Sequence, residues 1–96
     1  MPSDEGMLFV FPGMTEGRFW GKNTYIPLDL AFVQDDTVTE ITSIAPLSTR
    51  TVSSRSFCNR AIEANAGWFK DNDVKVGDKI DIIKEENGQN VIVFKR

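Results

Sequence analysis

The residues best suited to chemistry lie in two clusters, and the first begins at Trp20. That tryptophan leads into the polar triplet Lys22-Asn23-Thr24. A lysine binds anionic groups, while the asparagine amide and the threonine hydroxyl both donate and accept hydrogen bonds. The same triplet also suits a strand end, where such side chains satisfy backbone groups of the following turn. The pattern therefore favours either a ligand clamp or a turn-stabilising strand end.

A lone acidic residue, Asp29, stands among apolar residues in the segment Leu28–Val33. A carboxyl group on a buried strand face needs a partner, or else its pKa rises. The nearest candidate partner along the chain is Lys22, which lies across the bend expected at Pro27. A buried pair of these two residues would be structural, whereas an open pair would belong to a binding site, and both interpretations stay open.

The second cluster consists of Glu63 and Asn65, which share one face of a predicted strand because side chains alternate with a period of two. Near Lys22 or Asp29 they would complete a polar pocket, with Trp20 as its apolar wall. The simpler interpretation is that Glu63 and Asn65 hydrogen-bond to loop backbone.

Two carboxylates, Asp29 and Glu63, formally permit acid–base chemistry of the kind used in glycoside hydrolysis. That chemistry requires the two carboxyl groups to lie within roughly 5 to 10 Å of each other in an open cleft. Because any two acidic residues in strands meet the sequence description, the pattern is not specific to a hydrolase.

The composition excludes several classes of site. The 96 residues contain no histidine, which removes the commonest general base and metal ligand. Cys58 is the one cysteine, so neither a disulfide within the chain nor a zinc site made of cysteines can form. Without a histidine to activate it, Cys58 is expected to be a half-buried structural residue. We therefore assign no catalytic residue, metal site or cofactor.

The charge pattern bears on partners and location. The net charge is −3, and 11 basic residues are scattered among 14 acidic ones, which argues against nucleic-acid binding. No apolar run approaches the roughly 20 residues of a membrane span. The acidic start of the chain differs from a signal peptide. These features predict a cytoplasmic protein without nucleic-acid or membrane partners.

Breakers and β-branched residues divide the chain into short strands around one helical turn. Strands are predicted at Met7–Phe11, Arg18–Thr24, Leu28–Val33, Thr37–Ile44, Phe57–Asn65, Lys79–Lys84 and Val91–Phe94, with a helical turn within 66–71. The first strand, a continuous apolar run, is expected to be buried on both faces. We expect an all-β single domain over residues 1–96, a sandwich or partly open barrel of about seven strands.

Four segments in this order resemble the domain-of-unknown-function 192 family: EGMLFVFP, FWGKNTYIPLDLAFV, RAIEANAG and VKVGDKI. The resemblance covers roughly residues 3–83. It implies a compact β-sandwich or barrel-like domain, and it supplies no reaction because the family has no established activity.

Three departures from the family pattern matter. Gly21 stands where members usually have Met, and 46–54 lacks a cysteine pair that many members carry there. The resemblance also implies an additional strand before Met7, which this chain lacks, so a sheet edge should be open. We expect the strand Val91–Phe94 of the terminal hairpin 79–95 to cover that edge, or two chains to pair there as a homodimer.

Taken together, these patterns favour a small binding module for a small polar ligand or a peptide end. The candidate ligand-binding residues are Trp20, Lys22, Asn23, Asp29, Glu63 and Asn65. Two alternatives stay open: a hydrolase using the carboxylate pair, and an accessory protein that assembles through a sheet edge.

Overall fold

The computed structural model describes residues 6–21, 24–84 and 90–95. The elements within them are β1 Gly6–Thr15, β2 Arg18–Phe19, β3 Leu28–Gln34, β4 Thr37–Ile44, β5 Val52–Ser53, β6 Cys58–Asn65, α1 Trp68–Asp71, β7 Lys79–Lys84 and β8 Asn90–Lys95. Six strands form one curled, half-barrel sheet in the order β1-β6-β3-β4-β7-β8, and β2 pairs with β5 in a small ribbon. The prediction of an all-β fold with one short helical turn is confirmed.

The central strand β3 is buried on both faces, and its alternation divides the core into two clusters. One face, here the Phe32 face, packs Leu28, Leu30 and Phe32 with Ile44, Cys58 and Ala61. The other, here the Ala31 face, packs Ala31 and Val33 with Val38, Ile62, Ala64, Phe69, Val74 and Ile80. Side-chain alternation in the predicted strand Leu28–Val33 predicts this division, with Leu28, Leu30 and Phe32 on one face, and the structure confirms it.

Strand β1 is not buried on both faces, contrary to expectation. Within the described residues it lies at one end of the sheet order and pairs with β6 alone. Met7 and Val10 are consequently 52% and 63% exposed. An apolar run alone does not distinguish a central strand from an edge strand.

Two further expectations about strands were wrong. The predicted strand Arg18–Thr24 shortens to Arg18–Phe19, because the backbone beyond it hydrogen-bonds to the loop at Ser48. Cys58, expected to be half-buried, is fully buried, and it lies with Ala61 on the Phe32 face although alternation along the strand would place it on the face of Ile62. The β1–β6 register shifts between Val10 and Thr15, so simple alternation does not extend to the start of β6.

The terminal hairpin lies at the far end of the sheet from β1. Strand β7 joins β4 through one register pair, Thr37 with Lys79, and β8 pairs along β7. The expectation that Val91–Phe94 covers the edge at β1 is therefore wrong, because β8 occupies the opposite end of the strand order. The predicted hairpin turn, at 86–89, lies outside the described residues.

The helix α1 follows a left-handed Gly67, with a φ of 88°, and places Phe69 in the core. A glycine suits that position because a Cβ would make the backbone conformation costly. Within the described residues, no helix is long and apolar enough to span a membrane, since α1 has four residues and a spanning helix needs roughly 20.

Candidate functional site

A segment of chain crosses the Phe32 face of the sheet, and we call residues 17–21 the crossing segment. At its start, a Cβ on Gly17 would lie 2.6 Å from the Phe32 ring. In its middle, the Phe19 ring lies 5.2 Å from Phe9 and 6.0 Å from Phe32, centroid to centroid. At its end, a Cβ on Gly21 would lie 2.9 Å from the Ile44 side chain. The segment therefore covers the face diagonally, from Phe32 to Ile44.

Hydrogen bonds to the loop that follows β4 hold the crossing segment in place. The Gly17 N–H donates to Ser54 Oγ at 2.9 Å, and the Ser54 N–H donates back to the Gly17 carbonyl at 2.9 Å. At the other end, the Gly21 N–H donates to the Ser48 carbonyl at 3.2 Å. Hydrogen bonds of the backbone groups at Gly17 and Gly21 thus hold both ends of the segment, which covers part of the core.

The strand register sets Glu63 and Asn65 on the same Phe32 face, beside this cover. Glu63 lies between Met7 of β1 and Leu30 of β3, and Asn65 lies opposite Leu28. Directly opposed side chains in antiparallel strands have Cβ atoms about 4.5–5.5 Å apart. The two polar residues therefore stand at one end of a face whose remaining neighbours in β1 and β3 are apolar.

The Glu63 carboxyl is half-buried, and this burial raises its pKa above the ordinary value of 4.5. Desolvation penalises the charged form, because the surrounding apolar atoms solvate it less well than water. Burial is the cause of the shift, and within the described residues the carboxyl forms no hydrogen bond or ion pair. The carboxyl group is therefore partly removed from water, and no described residue offsets the lost hydration with a hydrogen bond or a positive charge.

Asp29 lies on the opposite face of the sheet. Its register partners are Ser43 and Ala64, so it shares the Ala31 face. One carboxylate oxygen accepts from Ser43 Oγ at 3.0 Å, and the other accepts from the Gly67 N–H at 2.9 Å. Asp29 therefore ties β3 to β4 and to the turn before α1.

This placement corrects two expectations. Asp29 and Glu63 point to opposite sides of the sheet, so they do not form the carboxylate pair that the hydrolase alternative requires. The Gly67 N–H donates to Asp29 and not to Glu63, so Glu63 does not hold this backbone group as the simpler interpretation expected. Sequence alternation places each residue on a face of its own strand, but only the register between strands shows which residues share a side.

Of the three other predicted site residues, the structure describes one, Trp20. Trp20 directly follows Phe19 in the crossing segment and is 55% exposed, so it is not the core residue that its type favours. Lys22 and Asn23 lie outside the described residues. Among the described residues, no group of three or more His, Cys, Asp or Glu side chains converges to hold a metal ion.

Sequence reasoning missed the residues that shape the site. Met7 was assigned to a buried strand, yet it is the exposed neighbour of Glu63 in the sheet. Gly17 precedes the predicted strand Arg18–Thr24 and Gly21 lies within it, and both allow the crossing segment to approach the sheet closely. A signal was present: two glycines four residues apart flank an aromatic pair, and glycine in such a position often marks close backbone approach.

Comparisons with known proteins agree with this architecture. The model of the family described as "Uncharacterized ACR", the domain-of-unknown-function 192 family, matches residues 1–82. A comparison with curated proteins gives no match.

Two solved structures share the fold. One is from Sinorhizobium meliloti 1021, described as a proposed transcription regulator, with 38% identity, 82% coverage of this chain and a TM-score of 0.78. The other, a protein of unknown function from Novosphingobium aromaticivorans DSM 12444, has 31% identity, 82% coverage and a TM-score of 0.76. The matches cover 63% and 58% of those chains, so the similarity spans about three fifths of their length.

Proposed function

This chain belongs to the domain-of-unknown-function 192 family, and from that premise we propose that it is a small binding module. Its ligand, a small polar molecule or a peptide end, would bind at the end of the Phe32 face that carries Glu63 and Asn65. The family supplies a fold and no reaction, so the proposal rests on the residues of this chain.

The observation that carries the proposal is the contrast between two carboxyl groups in neighbouring strands. Both oxygens of Asp29 accept hydrogen bonds that join three elements. Glu63 is half-buried between Met7 and Leu30, and no described residue hydrogen-bonds to it. A polar group partly removed from water without a partner costs stability, and such groups are typical of sites kept for a ligand.

Exposed apolar side chains next to the polar pair support a binding role. Met7 is the register neighbour of Glu63, and half of its surface is accessible. Trp20, also more than half exposed, belongs to the segment that crosses the same face. Lys22 and Asn23 follow Gly21 directly in the sequence, so the proposal retains them as candidate ligand contacts on sequence grounds alone.

The test is a ligand screen followed by backbone amide chemical-shift mapping. We expect binders to shift the amides of Met7, Leu30, Glu63 and Asn65, and we expect Glu63→Gln to weaken or abolish those shifts. Glu40→Gln is the matched control, because Glu40 lies on the same face but two strands away, opposite Phe32. Absence of any binder, or shifts confined to other surfaces, would contradict the proposal.

A second candidate function is self-assembly through the edge of β1. This strand lies at one end of the described sheet order, and the ten residues Gly6–Thr15 contain no charged side chain. Natural edge strands usually carry charges that prevent pairing with another chain. We propose a second copy of this chain as the occupant, because the uncharged strand can pair with its own copy in antiparallel orientation.

The description of the Sinorhizobium relative raises nucleic-acid binding as a further possibility for this chain. The charge pattern argues against it, because nucleic-acid-binding domains need a basic surface and this chain carries a net charge of −3. We therefore propose that nucleic acid is not the ligand. An electrophoretic mobility shift with mixed-sequence DNA and RNA at low salt should show no complex, and a salt-sensitive complex would reverse this view.

A further inference from the structure

We infer that the ligand of the Glu63 site carries a cationic amine next to an apolar group, as the amino terminus of a peptide does. This inference rests on the proposed binding function and specifies the chemistry of the ligand.

The charge environment of Glu63 is the first step of the argument. Of the described elements packed against it, β1 presents Met7 and Phe9 to this face, and β3 presents Leu28, Leu30 and Phe32. None of these side chains titrates, and the neighbours within β6 on this face are Ala61 and Asn65.

Two further charged side chains of the described residues lie on this face or on the crossing segment, Glu40 and Arg18. The titratable groups described on this face besides Glu63 include the fully buried Cys58 and Glu40, which lies two strands away and accepts a hydrogen bond from the Arg55 backbone N–H at 2.9 Å. Arg18 of the crossing segment pairs with Glu16 at 3.5 Å, and Lys22 lies outside the described residues. The described surroundings therefore provide Glu63 with no compensating positive charge, and a ligand cation would supply it.

Hydrogen-bonding chemistry distinguishes the ligand classes. A half-buried carboxylate accepts hydrogen bonds and attracts positive charge, so an ammonium group forms the strongest complex. An anionic ligand would be repelled, and a neutral donor would gain a hydrogen bond without the charge attraction. The half-burial of Glu63 supports this order, because it leaves the ionised carboxyl poorly solvated before a ligand arrives and thereby raises its pKa.

The apolar requirement follows from the position of Met7. Its side chain is directly opposite Glu63 in the β1–β6 register and remains half exposed. An unbranched thioether side chain adapts to apolar groups of different shape. An aliphatic group attached next to the amine would therefore contact Met7 while the amine meets the carboxylate.

Three probes of nearly equal size test the inference: leucinamide, which is cationic; N-acetyl-leucinamide, which is neutral; and N-acetyl-leucine, which is anionic. Titrations followed by amide chemical shifts at pH 4.5, 5.5 and 6.5 keep the leucinamide amine protonated, because α-amino groups titrate near about 7.7–8.0. We expect leucinamide to bind at least about tenfold more tightly than either acetylated probe at pH 6.5, as expected for a charge-assisted hydrogen bond.

The pH series and the variants give independent readouts. Leucinamide affinity should rise with pH as the Glu63 carboxyl ionises, because the cation binds the charged form. The Glu63→Gln variant should lose both the affinity difference and its pH dependence, while Glu40→Gln should keep both.

The possible outcomes separate the two proposals. Equal or tighter binding of an acetylated probe, localised at Met7 and Glu63, would overturn the cationic-ligand inference and leave the binding function supported. Leucinamide binding that does not change with pH or with Glu63→Gln would also overturn the inference. If none of the probes binds, the inference fails, and the wider ligand screen then decides the proposed function alone.

Discussion

Two acidic residues in adjacent strands have different roles because the register turns them to opposite sides of the sheet. Asp29 meets a hydroxyl and a backbone N–H, so both oxygens are satisfied. Glu63 meets Met7 and Leu30, so its carboxyl is desolvated without a described partner. Chemically similar side chains thus separate into one structural and one candidate functional group.

A substitution series at Asp29 tests its structural role. Asp29→Ala removes both acceptors, and we expect the free energy of unfolding to fall by about 1–3 kcal/mol. Asp29→Asn should cost much less, because its oxygen can accept from Gly67 while the Ser43 hydroxyl reverses to accept from the amide. Urea unfolding checks both, and each kcal/mol corresponds to roughly 4–8 °C in Tm for a domain of this size.

Ser43→Ala is the companion variant, which should cost about 0.5–1.5 kcal/mol because one of the two hydrogen bonds remains. A loss in Asp29→Asn as large as that in Asp29→Ala would show that the negative charge itself matters. Hydrogen bonding alone would then not explain the role of Asp29.

The stability of Glu63→Gln should depend on pH in a defined direction. The pKa of Glu63 is raised in the folded state, so between pH 4.5 and that raised value the folded state binds more protons than the unfolded state. Wild-type stability therefore falls, relative to the glutamine variant, as pH rises through this window. We expect matching Tm values near pH 4 and a higher Tm for Glu63→Gln at pH 7.

Thermal unfolding of both proteins at pH 4, 5, 6 and 7 measures this difference. A variant that becomes less stable than wild type as pH rises would mean that the ionised carboxylate stabilises the fold. Glu63 would then be part of a structural network.

At the scale of elements, the crossing segment depends on the absence of a side chain at Gly21. A Cβ there would overlap the backbone carbonyl oxygen of Ala45, which cannot move as a flexible side chain can. We expect Gly21→Ala to lower the free energy of unfolding by about 1–3 kcal/mol through overpacking. Urea unfolding of the variant and wild type checks this value.

Gly13→Ala is the control for that prediction, because no atom lies within 4 Å of a Cβ at Gly13. Its unfolding free energy should stay unchanged or rise by a few tenths of a kcal/mol, since alanine reduces the freedom of the unfolded chain. Equal losses at both positions would show that glycine content, and not close packing, controls stability at these sites.

A feature could be predicted from the sequence when its pattern lies within one strand, and it could not when it depends on the register between strands. The alternation Leu28, Leu30, Phe32 was sufficient to predict the two faces of β3, because that pattern lies within one strand. Neither the pairing of Glu63 with Leu30 nor that of Asp29 with Ala64 can be read from one strand, since register joins distant segments. The polar residues were recognised, but their grouping into sites required the sheet.

At the scale of the whole molecule, the strand order leaves β1 at one end of the described sheet. Family resemblance predicted an open edge near Met7, and β1 does lie at the end of the order. The position of the hairpin β7–β8 could not be predicted, because turn residues specify a hairpin locally but not the strand beside which it docks.

Self-association through β1 can be tested with a matched pair of lysine substitutions. Val10→Lys adds a charge to the edge strand, and Val76→Lys adds the same charge to a loop; the two valines are 63% and 60% exposed. We expect light scattering to show a concentration-dependent dimer for wild type and Val76→Lys. For Val10→Lys the dissociation constant should rise at least about tenfold, because charged edge strands resist pairing.

A wild-type protein that stays monomeric at high concentration would rule out the second candidate function. If both lysine substitutions weaken the dimer equally, then net charge, and not the edge of β1, controls association. The binding proposal at Glu63 is independent of either result.

The position of β6 between β1 and β3 also determines when the sheet can close. Gly6 pairs with Ala64, so the first strand waits for a partner from the later half of the chain. At about 5–20 residues per second, synthesis of the intervening chain takes roughly 3–12 s. During that time β6, the native partner of the apolar strand MLFVF, is not yet complete. A nascent chain should therefore recruit chaperones until Ala64 has emerged, and stalling synthesis before β6 should prolong that association.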